Sequence, residues 1–245
     1  MSPRFRLRDL LLLLAILGLA FGLIFATIVR WRALDQRVAC ENNMRRLGAA
    51  FRNYHDSAGF YPTEIADKRI GASGTFYYDI ATFIQISDRQ GDPDDPIREY
   101  LCAGRRNREV GPKADFAYGA NSEFGISVLG APRPLTRGLI DAADGTAFTL
   151  LLSHKVVRPS QYDGSGPNDL AWYDKTVPNS RDPLSLNHDS DALEMWKLLG
   201  SPHGDGVPSL FVDGHVEVLP YVGGEVLINN VPVMAARWAY NDGNR

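Results

Sequence analysis

Leu10–Val29 reads LLLLLAILGLAFGLIFATIV, twenty apolar or small residues without a charge. At about 1.5 Å per residue a helix of this length reaches about 30 Å, the thickness of a bilayer's hydrocarbon core. A cleaved signal sequence has a shorter apolar segment, roughly 7–15 residues, that ends at a small-x-small site. Here Arg30-Trp31-Arg32 follows instead, and an aromatic ring between two arginines suits the headgroup level of a membrane. Residues 10–29 are therefore expected to form a retained, single-pass transmembrane helix after a short tail, 1–9. Its orientation does not follow from charge, because Arg4, Arg6 and Arg8 on one flank face Arg30, Arg32 and Arg37 on the other.

Beyond the anchor the helical period persists. Met44, Leu47, Phe51, Tyr54 and Ala58 recur at alternating spacings of three and four, with Arg45, Arg46, Arg52 and Asn53 between them, which is the pattern of an amphipathic helix. Residues 30–62 are read as that helix, continuous with the anchor or broken near Arg30, and ending near Gly59 because Pro62 cannot continue it.

Past Pro62 the chain changes to short segments rich in β-branched and aromatic residues, Gly74–Ile86, Asp115–Val128, Phe148–Val157 and Val207–Val218, read mainly as strands with some short helix. Pro208–Leu219 (PSLFVDGHVEVL) predicts a hairpin within 207–219, since Asp213-Gly214 is a residue pair favoured by a two-residue type I′ turn. Asp88–Pro96 and Asp163–Pro183, rich in Gly, Pro, Asp and Asn, read as surface loops. The expected fold class is α+β: a long N-terminal helix packed on an antiparallel sheet domain, residues 63–245.

With 245 residues, 44% hydrophobic and 22% charged, the chain has the composition of one folded domain plus an extra element. The net charge of -3 divides into +2 over residues 1–29 and -5 over the rest. An acidic domain of this kind is a poor partner for nucleic acid phosphates. Two cysteines, Cys40 and Cys102, are too few for a disulfide scaffold and lack C-x-x-C spacing. Two readings stand for them: one disulfide in an oxidising compartment, or two separate buried thiols.

Four motifs in order resemble one family. Phe5-Arg6-Leu7-Arg8-Asp9-Leu10-Leu11, followed by the apolar helix, resembles the start of type IV pilins and pseudopilins. Cys40-Glu41-Asn42-Asn43-Met44-Arg45-Arg46-Leu47-Gly48, with Asn53-Tyr54-His55-Asp56, resembles the C-x-N-N-L…N-Y-H-D pattern of large pilin-like proteins. Asp144-Gly145-Thr146 followed by Thr149-Leu150-Leu151 is similar to that group's D-G-T-S-x-T-L segment, and His203 nine residues before Asp213-Gly214 to its prepilin-associated H-X9-DG signature. The resemblance implies a cytoplasmic-membrane protein with its C-terminal domain extracytoplasmic, and lipid, other pilin-like subunits or secretion machinery as partners. It also implies cleavage before Phe5, which Arg4 opposes by standing where the family has glycine, and a role in assembly for the Asp9 carboxylate.

Five histidines are present, with His188, His203 and His215 close in sequence to Asp189, Asp191, Asp205 and Asp213. Imidazoles and carboxylates can ligate a divalent metal, so His203, Asp205 and Asp213 are candidate ligands. The simpler reading makes His203-Gly204-Asp205-Gly206 a turn that enters the hairpin. Asp88, Asp92, Asp94 and Asp95 offer oxygen ligands to calcium but lack the Gly and final Glu of an EF-hand, so no cofactor is expected. No nucleophile elbow, phosphate loop or dinucleotide turn occurs, and a Ser153-His154 pairing is what five histidines produce by chance. The expected function is thus a pilin-like structural subunit without catalysis. The alternatives are a membrane-tethered binding module that does not assemble, and a metal-dependent hydrolase using His203 and Asp213.

Overall fold

The computed structural model describes residues 7–62, 75–84, 94–106, 110–119, 135–142, 145–166, 169, 171–174, 180–191, 198–221, 227–228 and 231–232. Its dominant element is one helix, α1, Leu7–Ala58, of 52 residues without a break at Arg30. The apolar first half is exposed all round, with Leu19, Phe21 and Trp31 each about 70% accessible, and it is long and apolar enough to cross a membrane. The second half is buried along a single seam, Cys40, Met44, Leu47, Phe51 and Tyr54. This seam begins one step earlier than the sequence pattern suggested and stops at Tyr54, because Ala58 is exposed. The helix ends where expected, with Gly59 N–H donating to His55 O.

The remaining described elements follow α1 along the chain. They are helix α2 (Phe76–Ala81), a 3-10 turn (Arg98–Tyr100), strand β1 (Phe116–Gly119), helix α3 (Arg137–Ala142), β2 (Leu150–His154), a 3-10 turn (Pro159–Gln161), β3 (Ser180–His188), β4 (Leu198–Ser201), β5 (Val207–Phe211), β6 (Val216–Leu219), β7 (Leu227–Ile228) and β8 (Val231–Pro232). The main sheet has the order β4-β3-β1-β2-β5-β6, and β7 pairs with β8 apart from it. The architecture is therefore α+β. Pairing is antiparallel across β1, β2, β5 and β6 as expected, but β3 joins β1, and β4 joins β3, in parallel.

Three local readings change. Gly74–Ile86, weighted toward strand, contains helix α2, because Phe76, Tyr77 and Ile80 share a helical face that is buried in the core; this packing outweighs aromatic strand propensity. The expected loop Asp163–Pro183 gives way to β3 from Ser180. The hairpin is present, but its connection is a three-residue loop and not a type I′ pair. Phe211 N–H donates to His215 O, and Gly214 N–H to Phe211 O, with Gly214 at φ +98°, the type I turn plus bulge of three-residue hairpins. Val212 cannot close a shorter turn, because its N–H is spent on Thr149 O and the next one, Asp213, on Thr146 O.

Strand β5 runs beside the buried half of α1, and Gly48 makes the approach possible: a Cβ there would stand 3.1 Å from Leu210 Cδ1. At the far end Arg52 Nη2 donates to Asp213 O at 3.0 Å, and a Cβ on Gly214 would meet the same guanidinium at 2.6 Å. The twelve-residue step from Cys40 to Arg52 rises about 18 Å along a helix, and the five residues of β5 cover about 17 Å. Helix and strand are thus matched in length, which leaves His203 at one end of β5 and Asp213-Gly214 at the other.

Candidate functional site

At the His203 end of that match four side chains from four separate segments converge. Cys40 comes from α1, Cys102 from the turn after Arg98–Tyr100, His154 from the last position of β2, and His203 from the β4–β5 connection. Their ligating atoms all lie within 4.8 Å of one another. Cys40 Sγ is 3.1 Å from His154 Nε2, and Cys102 Sγ is 3.5 Å from His203 Nε2. Three of the four are fully buried and His203 is 6% exposed, so the cluster is closed to solvent.

Each member is held from behind. Asn43, one turn along α1 from Cys40, donates through Nδ2 to Arg98 O at 3.2 Å and Leu101 O at 3.1 Å, and Arg46 pairs with Glu99 at 3.0 Å. The helix thereby grips the turn that delivers Cys102. The buried Asp115 accepts Cys102 N–H at 2.7 Å. His154 Nδ1 lies 3.1 Å from Pro208 O; a carbonyl only accepts, so Nδ1 is the donor in that bond, and Nε2 is the ring nitrogen that faces Cys40. His203 is fixed through its backbone, with its N–H on Ser201 Oγ at 3.2 Å and its carbonyl accepting Tyr221 O–H.

Beside the cluster lies a buried ionic network. Arg105 forks onto Asp189 at 2.6 and 2.7 Å and donates also to Lys155 O, Gly200 O and Asp115 O. Arg106 bridges Asp115 and Asp169, and Lys155 reaches Asp169 at 3.5 Å. Burial disfavours the charged form of Arg105, but Asp189 and Asp115 more than offset this and hold the guanidinium charged. In the cluster, burial pushes the Cys40 thiol up, and the neighbouring Cys102 sulfur adds to this. Burial opposes ionisation of Cys102 too, yet the hydrogen bond from Cys40 and the two imidazoles hold it well below the usual thiol range.

The structure brings together one of the sequence-nominated metal candidates and separates the others. Asp213 sits at the hairpin tip, where its Oδ1 accepts His215 N–H at 3.0 Å and contacts His215 Nδ1 at 2.6 Å. Asp205 is exposed and paired with Arg37. The expected His203–Asp213 centre is therefore not formed, because β5 stands between the two residues. The cysteines are free thiols that share one site, neither bonded nor separate. His188 contacts Asp189 O, and His55 accepts Arg137 N–H. Asp94 accepts from Tyr173 O–H, whereas Asp88, Asp92, Arg4, Phe5 and the Asp9 side chain lie outside the described residues.

Little in the sequence marks His154, since it follows the apolar Leu150-Leu151-Leu152 but stands between Ser153 and Lys155. Compared with known proteins, the chain matches no family model, no curated protein and no solved structure.

Proposed function

We propose that the chain is a non-catalytic, pilin-like structural subunit, held in the cytoplasmic membrane by residues 10–29 with its sheet domain outside the cytoplasm. The observation that carries the reading is the unbroken α1, which is apolar and exposed over its first half and the spine of the domain core over its second. A protein that needs only a tether can use a flexible linker; a continuous helix fixes the domain's orientation to whatever its first half packs against. The anchor also has a face suited to such packing. Gly18, Gly22 and Ala26 recur at four-residue steps, and nothing lies within 4 Å of a Cβ built on either glycine. Small residues at this spacing let two membrane helices approach closely.

The test is energy transfer between labelled full-length chains in bilayers, diluted with lipid. Association that weakens on Gly18→Leu with Gly22→Leu, and on Asp9→Ala, is the expected result. Chains that stay monomeric at every density, with the variants indistinguishable from wild type, would sink the proposal and favour a solitary tethered module.

A further inference from the structure

We propose that Cys40, Cys102, His154 and His203 are the four ligands of a structural zinc ion that clamps the membrane-proximal helix to the sheet. The donor set is the first reason, since two thiolates and two imidazoles in tetrahedral array select zinc among the common divalent ions. Geometry is the second. Zn–S bonds of about 2.3 Å and Zn–N bonds of about 2.0–2.1 Å place tetrahedral donor atoms roughly 3.3–3.8 Å apart. The cluster already has contacts of 3.1 Å, Cys40 to His154, and 3.5 Å, Cys102 to His203, and no separation above 4.8 Å. That upper limit exceeds the tetrahedral range by about 1 Å.

The surroundings are those of a ligand shell. A metal-bound histidine usually donates its second ring N–H to a carbonyl or carboxylate, and His154 Nδ1 does so to Pro208 O. Burial of all four residues leaves no open coordination position, which marks a structural and not a catalytic site. Binding needs no electron transfer: the dication enters, both thiols ligate as thiolates, and the protons they still carry leave to solvent. The site then ends neutral with both imidazoles neutral.

This site would give the two halves of the sequence signature a shared purpose. Cys40 opens the C-x-N-N segment and His203 opens H-X9-DG, while Asn43 in the first holds the turn that carries Cys102. Arg52, four residues past the end of the first segment at Gly48, donates to Asp213 O at the far end of the second.

The experiment uses the full chain, purified in detergent with reductant and without added metal, then exposed to zinc or cobalt and dialysed. Expected are one zinc ion retained per chain, a cobalt form with the intense visible bands of tetrahedral coordination and a thiolate charge-transfer band, and at least tenfold weaker retention in Cys102→Ser and in His203→Gln. Because either variant could fail to fold, the wild-type protein is also titrated with a mercurial reagent, where release of one zinc per two thiols supports the site. No metal retained by the reduced wild-type chain, a cobalt spectrum without thiolate character, or a Cys40–Cys102 disulfide in protein isolated from its membrane would each overturn it.

Discussion

Replacing Asn43 by alanine removes two hydrogen bonds at once, to Arg98 O and Leu101 O, from a side chain that is only 7% exposed. A single such bond contributes about 1 kcal/mol net, and a buried carbonyl left without a donor costs about 1–3 kcal/mol. Both bonds are long, at 3.2 and 3.1 Å, and Arg98 O keeps the Leu101 N–H as a second donor, which places each loss near the lower end of that range, about 1 kcal/mol. Alanine returns roughly 0.6 kcal/mol of helix propensity. The expected loss is therefore about 1.5 kcal/mol. Asn43→Asp keeps the size of the side chain but turns a carboxylate toward two carbonyl oxygens, so it should cost more, about 3 kcal/mol or above. Reversible urea unfolding of the full chain in detergent, followed by tryptophan fluorescence with the buried Trp172 as reporter, measures both. An Asn43→Ala variant within about 0.5 kcal/mol of wild type, or an Asn43→Asp variant no worse than alanine, would refute the claim that this residue holds the Cys102 turn.

Arg105→Met should destabilise by about 3–5 kcal/mol, because it strands the buried Asp189; the double variant Arg105→Met, Asp189→Leu should recover part of this, and equal losses in the same denaturation assay would count against the network. Burial tends to raise the Asp169 carboxyl, but the bond from Arg106 and the charge of Lys155 outweigh it, so its folded pKa lies below the ordinary 3.8. Its contribution is accordingly present at neutral pH and lost as pH falls below about 4. Wild type should lose stability more steeply than Asp169→Asn over that acid range, and parallel curves would be the contrary outcome. Gly214→Ala, which places a Cβ at φ +98° and 2.6 Å from Arg52 Nη2, should cost about 1–3 kcal/mol, visible as a lowered Tm.

What the sequence disclosed follows from the range of the interactions involved. The long helix was legible because its signals are local: twenty apolar residues, then a seam at three- and four-residue spacing, then Gly59 and Pro62. The hairpin was legible for the same reason, while its loop length was not, since Thr146 and Thr149 from another segment fix it. Helix α2 was obscured by Phe76, Tyr77 and Tyr78, whose strand preference is outweighed by burial of Phe76 and Tyr77 against Phe51 and its neighbours. The cysteine and histidine cluster was the least legible feature. Cys40 and His154 are 114 positions apart and Cys102 and His203 are 101 apart, so no spacing rule links them. His203 stood out through its motif, but spacing suggested Asp213 as its partner when a strand of intervening length separates the two.

The continuity of α1 has a mechanical consequence. From Arg30 to Ala58 the helix extends about 43 Å beyond the apolar run, so with that run in a bilayer it would act as a lever pivoting in the lipid. Bilayers that differ in thickness by a few Å are accommodated partly by helix tilt, and a change of about 10° would sweep the far end of the lever through about 7 Å. The domain's position over the membrane surface would then register bilayer thickness directly, with no hinge to absorb the motion.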